Sequence, residues 1–255
     1  MTIEALELFP AIDVKEGRCV RLVQGDFDRA TTFSDDPAAI ARRWASMGAR
    51  WLHVVDLDGA RLGRPSPEIA PILRRISEQT SLPIQFGGGV RSEGAVEQVL
   101  SAGVARVVVG TAVATDAALA ERLFREYGER VAVAVDARDG IVAIAGWQEQ
   151  IGEKATDFMA RMRDLGARRF IFTDIARDGM LQGINREALL SALAAVPDAA
   201  VIASGGVATI DDVDTLVGLR AGGLRNLEGV IIGKALYTGG LDLHEALVRA
   251  SAPGG

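Results

Sequence analysis

Three unlike motifs each occur twice in this chain, at nearly one spacing. Pro10-Ala11-Ile12-Asp13 answers Ala134-Val135-Asp136, Gly87-Gly88-Gly89-Val90 answers Ser204-Gly205-Gly206-Val207, and Val107-Val108-Val109-Gly110 answers Val230-Ile231-Ile232-Gly233, at intervals of 123, 117 and 123 residues. A shared interval across different patterns marks a duplicated half, since chance has no reason to keep three motifs in step. The fold must therefore combine two similar units about an approximate two-fold axis.

Short β-branched and apolar runs lie near 6–12, 51–55, 83–86, 106–109, 130–135, 169–173, 200–203 and 229–232, eight in all. Between them come amphipathic stretches near 37–47, 67–79, 92–102, 115–127, 153–165, 185–196, 209–219 and 241–249, several opening on Pro, Ser, Thr or Asp as helices do. Strict alternation predicts parallel pairing, because parallel neighbours need a crossover helix. Eight such units within 255 residues predict a closed (β/α)8 TIM barrel with duplicated half-barrel symmetry, one domain spanning 1–255. Each motif pair then falls on matching strands: first and fifth, third and seventh, fourth and eighth. The Gly-rich stretch from Ala221 to Asn226 reads as an exposed loop before the last strand.

Composition removes several classes of function. A net charge of −6 argues against a nucleic-acid or acidic-membrane surface, which would need clustered Lys and Arg. No apolar run reaches the roughly 18 residues of a membrane span. The opening MTIEALELFPAID has no basic stretch before an apolar run, so no secretory leader is expected. Two histidines, His53 and His244, and one cysteine, Cys19, form no metal-ligand spacing, so no metal is expected. The lone cysteine suits a reducing compartment, and the cytoplasm is the expected location. His53, inside an apolar run, reads as a satisfied core histidine or one behind the site. No helix presents a large apolar outer face, and a monomer is expected.

Glycines just past strands let backbone N–H groups approach an anion, and the following helix N-termini add positive potential. One phosphate cradle is expected from Gly87, Gly88, Gly89, Gly110 and Thr111, the other from Ser204, Gly205, Gly206, Gly233 and Lys234. The plainer alternative is that these glycines only make tight turns. Two cradles across one mouth match a substrate with phosphates at both ends. Asp13 and Asp136 end the first and fifth strands, where barrel enzymes keep their chemistry. They would flank the middle of that substrate, one delivering a proton and the other removing one. Alternatively each caps a turn or pairs with a nearby Arg. Asp56 and Asp174 sit at the second and sixth strand ends. Thr173 offers a hydroxyl to relay a proton, or is structural. Arg91 is placed to bind a phosphate or carboxamide, and Trp147, in the long loop after the fifth strand, to stack on a planar heterocycle or to staple that loop.

With these residues assembled, the chain resembles, over essentially its full length, the phosphoribosylformimino-aminoimidazole carboxamide ribonucleotide isomerases of histidine biosynthesis. The resemblance rests on PAIDVKEGRCVRLVQGD, HVVDLDGA, GGGVRS, VVVGTA, VAVDAR, AGWQE, TDIARDGMLQG, IASGGV and VIIGKALY, one at each strand or its loop. It implies an aldose–ketose isomerase performing an Amadori rearrangement on a bisphosphorylated aminoaldose, with no cofactor. It further implies Asp136 as the acid that opens the ribose ring, Asp13 as the base at C2 of the sugar, and Thr173 as helper. Internal symmetry alone cannot tell acid from base. Arg21 stands where the related cyclases have lysine. Ala145 stands where the bifunctional isomerase that also acts on phosphoribosyl anthranilate has arginine, and Asp13 where the dedicated anthranilate isomerase has cysteine. A non-catalytic phosphosugar-binding barrel would have no reason to hold two opposed carboxylates.

Overall fold

The computed structural model describes residues 5–23 and 25–251. Gln24 of the first-strand motif lies outside the described residues, as do the ends of the expected 1–255 domain. The strands are β1 (Glu7–Lys15), β2 (Arg18–Val23), β3 (Asp26–Ser34), β4 (Leu52–Asp56), β5 (Ile84–Gly87), β6 (Arg106–Val109), β7 (Val131–Arg138), β8 (Ile141–Ile144), β9 (Glu149–Lys154), β10 (Arg169–Asp174), β11 (Ala200–Ser204) and β12 (Leu227–Ile232). Parallel pairing runs β1-β4-β5-β6-β7-β10-β11-β12 and returns to β1, closing a (β/α)8 barrel.

The helices are α1 (Pro37–Ser46), α2 (Leu57–Leu62), α3 (Ile69–Thr80), α4 (Glu93–Ser101), α5 (Thr111–Thr115), α6 (Ala117–Tyr127), α7 (Ala155–Asp164), α8 (Arg186–Ala195), α9 (Ile210–Ala221), α10 (Lys234–Thr238) and α11 (Leu243–Ser251). Polar caps start many of them. Asp36 accepts from Ala38 N ahead of Pro37, Ser92, Asp116 and Asn185 cap α4, α6 and α8, and Thr209 with Asp212 forms a capping box on α9. Each such cap is worth about 1 kcal/mol. No described helix is long and apolar enough to cross a membrane.

Barrel strands are apolar on both faces because each face is covered. Leu8, Ile12 and Val14 of β1 pack in the layer between barrel and helices, while Phe9 and Ala11 join Val108, Ala132, Ile171, Ile202 and Ile231 inside the barrel. The two-residue period of a strand carries the inner row Phe9, Ala11 upward to Asp13, and Ala132, Ala134 upward to Asp136. Both aspartates thus reach the mouth from inside the wall.

Four strands lie outside the ring and were not expected. Hairpin β2–β3 pairs antiparallel with β1, and β8–β9 with β7, replacing the long loop expected after the fifth strand. Among them Glu149–Lys154 is polar and alternates between exposed and half-buried residues, so it lacks the buried-strand pattern. They obey the duplication all the same: Asp13 faces Val20 as Asp136 faces Ala143.

Candidate active site

A cavity of about 270 Å³ opens where the inner rows end. Its wall includes Asp13, Asp136 and Thr173, with Gly88, Gly89, Arg91, Gly110, Thr111, Trp147 and Ser204. An adjoining recess of about 30 Å³ is lined by Gly205, Gly206, Gly233 and Lys234, and both spaces share Arg21, Asp178 and Ser204. Every residue expected from sequence therefore borders this contiguous space.

Asp13 does not stand alone. Arg21, brought over by β2, places Nη1 2.9 Å from its Oδ2, with both side chains largely buried. The contact is ionic and poorly aligned, since Arg21 Nη1 has no partner at hydrogen-bonding angles. Burial pushes the Asp13 carboxyl up to about 6; Arg21 pulls it down and Asp178 pushes it up. The bland expectation of an arginine partner is thus met, though by Arg21 and not by the adjacent Lys15 or Arg18. Arg21 then runs on to lie against Gly233, where a Cβ would collide with its guanidinium. Glycine at 233 makes room for that bridge.

Asp136 is held by neutral groups. Thr173 and Trp147 donate hydrogen bonds to it, which favour ionisation, but burial outweighs them and Asp178 adds to the upward shift. The Trp147 ring packs over Gly25 in the β2–β3 turn, so this side chain staples one hairpin to the other across the mouth. Ala145, Gly146 and Trp147 all have positive φ, at 54°, 66° and 72°. For Ala and Trp that conformation is strained and persists only where surroundings enforce it. The bond from Ala145 N to Thr111 Oγ1, 3.0 Å, and that from Trp147 to Asp136 do so.

The glycine pairs show why nothing larger fits. Gly88 and Gly205 have φ of 113° and 88°, and a Cβ on either would meet the carbonyl oxygen behind it, that of Asp56 or of Asp174. The cations differ between halves. Arg91 lies against Gly63 and donates to Ala60 O at 3.2 Å, whereas Lys234 donates to Gly179 O at 2.9 Å. Asp56 and Asp174 brace loops: Asp56 accepts from Gly59 N and Ser66 N, and Asp174 from Ala176 N and Asn185 Nδ2.

Sequence reasoning missed Arg21 and Asp178 as site residues. Asp178 lies in the turn after β10; burial raises its carboxyl, and Arg21 and Lys234 lower it. The duplication could not have flagged Arg21, whose counterpart in the second half is the apolar Ile144. His53 borders the cavity and is not sealed in the core.

A parallel barrel with duplicated halves, opposed carboxylates and paired glycine turns at one mouth defines a class of barrel enzyme. The model of the family described as histidine biosynthesis protein matches residues 7–242, and the chain belongs to that family. Curated relatives include the 1-(5-phosphoribosyl)-5-((5-phosphoribosylamino)methylideneamino)imidazole-4-carboxamide isomerase of Chloroflexus aggregans, 48% identical over 98% of this chain and 100% of that protein. The enzyme of the same name from Rhodopseudomonas palustris is 50% identical over 96% of this chain and 98% of its own. That from Acetivibrio thermocellus is 44% identical over 94% and 98%.

Proposed function

We propose that the chain is an aldose–ketose isomerase of histidine biosynthesis, converting the bisphosphorylated aminoaldose ProFAR to the aminoketose PRFAR by an Amadori rearrangement. The observation that carries this reading is the placement of Asp13 and Asp136 on one cavity from matching strands of duplicated halves, with a glycine turn pair on each side. A two-ended substrate would seat one phosphate at Gly88, Gly89 and Arg91 and the other at Gly205, Gly206 and Lys234, its reacting sugar between the carboxylates. Proximity of this kind removes much of the entropic part of the barrier.

The electrostatics support the division of labour that the resemblance implies. Burial raises both carboxyls, but beside Asp13 the Arg21 charge opposes that rise and favours the carboxylate a base needs, whereas among the described residues Asp136 has only the neutral donors Trp147 and Thr173 to oppose it. Asp136 gives a proton to the ring oxygen, and the bond from that oxygen to C1 breaks to leave an iminium. Asp13 then removes the C2 proton, and the electron pair becomes the C1–C2 double bond of an enolamine. Protonation at C1 with loss of the C2 hydroxyl proton gives the aminoketose, so atoms balance without any oxidant. Thr173 holds Asp136 in place, and Trp147 covers the site. On this reading the enzyme works as a cytoplasmic monomer on a free small molecule.

An assay of the purified protein with this aminoaldose and with phosphoribosyl anthranilate tests the proposal. Turnover of the first alone is expected. No turnover of the first, or equal turnover of both, would overturn it.

A further inference from the structure

A buried polar chain climbs the inner wall on the Asp13 side, with no counterpart on the Asp136 side among the described residues. At its foot Arg106 Nη2 contacts Glu228 at 3.2 Å, and Arg106 Nη1 donates to Gln85 Oε1 at 2.9 Å. Gln85 Nε2 then lies 3.1 Å from His53 Nδ1. Arg106, Gln85 and His53 are 6%, 0% and 8% exposed, so each polar atom matters energetically. The duplication gives the second-half counterparts as Ile171 for His53, Ile202 for Gln85 and Gly229 for Arg106, all apolar. The fold therefore does not demand a polar chain here.

The chain also fixes a proton. Arginine can only donate, so the Gln85 oxygen must accept, and its amide nitrogen must donate onward. His53 Nδ1 is then an acceptor and carries no hydrogen. Burial, with help from the Arg21 charge, keeps the imidazole neutral by lowering its pKa to about 3. A neutral ring without a proton on Nδ1 has it on Nε2. His53 lines the cavity, and no hydrogen bond to Nε2 is made among the described residues.

We propose that His53 Nε2–H is a substrate-positioning donor, aimed by Arg106 through Gln85, that binds an oxygen of the sugar being isomerised on the Asp13 side of the cavity. The proposal rests on the isomerase reading above for the identity of the ligand. Arg106 and Gln85 act only through His53 and are positioning residues. A neutral N–H can hold an oxygen without placing a second positive charge beside Arg21.

With two histidines in the chain, nitrogen-15 labelling of histidine gives spectra in which the exposed His244 is the internal comparison. In the wild-type protein at neutral pH, long-range proton–nitrogen correlation is expected to show His53 as the Nε2–H tautomer, and added aminoketose product to shift that resonance. His53→Leu should lose roughly tenfold to a hundredfold in kcat/KM, the scale of one unmet hydrogen bond in a dry site. His53→Gln, which returns an amide donor, should recover part. Gln85→Leu should produce interconverting tautomers and a smaller loss. A proton on Nδ1 in the wild type, a resonance unmoved by product, or His53→Leu within twofold of wild type would overturn the proposal. Should the wild type turn over no aminoaldose, the isomerase reading fails instead, while the tautomer is still read from the free protein.

Discussion

The two hairpins over the mouth pair with their barrel strands in the same register, yet they bring different chemistry to the two aspartates. Next to Val20, which faces Asp13, stands Arg21; next to Ala143, which faces Asp136, stands Ile144. Arg21 sets a charge 2.9 Å from Asp13, while the second hairpin offers Asp136 only the neutral donor Trp147, alongside Thr173 from the barrel. Duplication alone would make two equivalent carboxylates, useless as an acid and base pair. Arg21, one residue on a peripheral hairpin, is the charge that distinguishes them: burial raises both carboxyls, and among the described residues a cation opposes that rise at Asp13 and not at Asp136.

The largest effects should come from removing either carboxylate. Asp13→Asn and Asp136→Asn should each lower kcat by roughly 10²–10⁴, the usual range for general acid–base groups, with product affinity kept. Loss of binding in step with turnover would make the pair a structural feature. Next come exchanges of the hairpin residues. Arg21→Met should cost at least roughly tenfold in kcat/KM at neutral pH, since one such step needs about 1.4 kcal/mol. Ile144→Arg should also slow turnover, because a new cation beside Asp136 favours the form that cannot donate. A harmless Ile144→Arg would break the comparison at its core.

How far the sequence reached follows from the same contrast. The barrel strands were legible because burial on both faces leaves continuous apolar runs, and the strand ends located Asp13, Asp136, Thr173 and the glycine turns without any side-chain detail. The hairpins were not, since an edge strand such as Glu149–Lys154 alternates between exposed and half-buried residues and reads as a loop. Their hidden pairing is what brings Arg21 to Asp13 and Trp147 to Asp136. Asp178 escaped notice for a related reason: it lies in an irregular turn between β10 and α8, where no period says which way a residue faces. Asp56 and Asp174, equally prominent at strand ends, turned out to brace backbone amides.

The cradles should respond less, and unequally. Gly88→Ala must clear three backbone atoms of Asp56, whereas Gly205→Ala meets one close atom, Asp174 O at 2.7 Å. Thermal melts should show both variants destabilised, at about 1–3 kcal/mol for the strained φ alone, with Gly88→Ala the worse. Equal melting temperatures would show that the two turns relax alike. The smallest effect should belong to Lys234→Ala, a rise of a few fold in KM with kcat little changed, because backbone amides do most of the holding. A kcat loss as large as that of Arg21→Met would make Lys234 part of the chemistry.

The pH dependence of kcat/KM tests the central claim most directly. Asp13 must be ionised to act as base, and its carboxyl is raised to about 6, so activity should climb as pH rises through that value. Arg21 lowers this pKa, so Arg21→Met should move the rising limb to higher pH, while Thr173→Val, which removes a hydrogen bond to Asp136 and none to Asp13, should leave it in place. A limb that stays put in Arg21→Met, or that moves instead in Thr173→Val, would contradict the assignment of Asp13 as the base that Arg21 keeps charged.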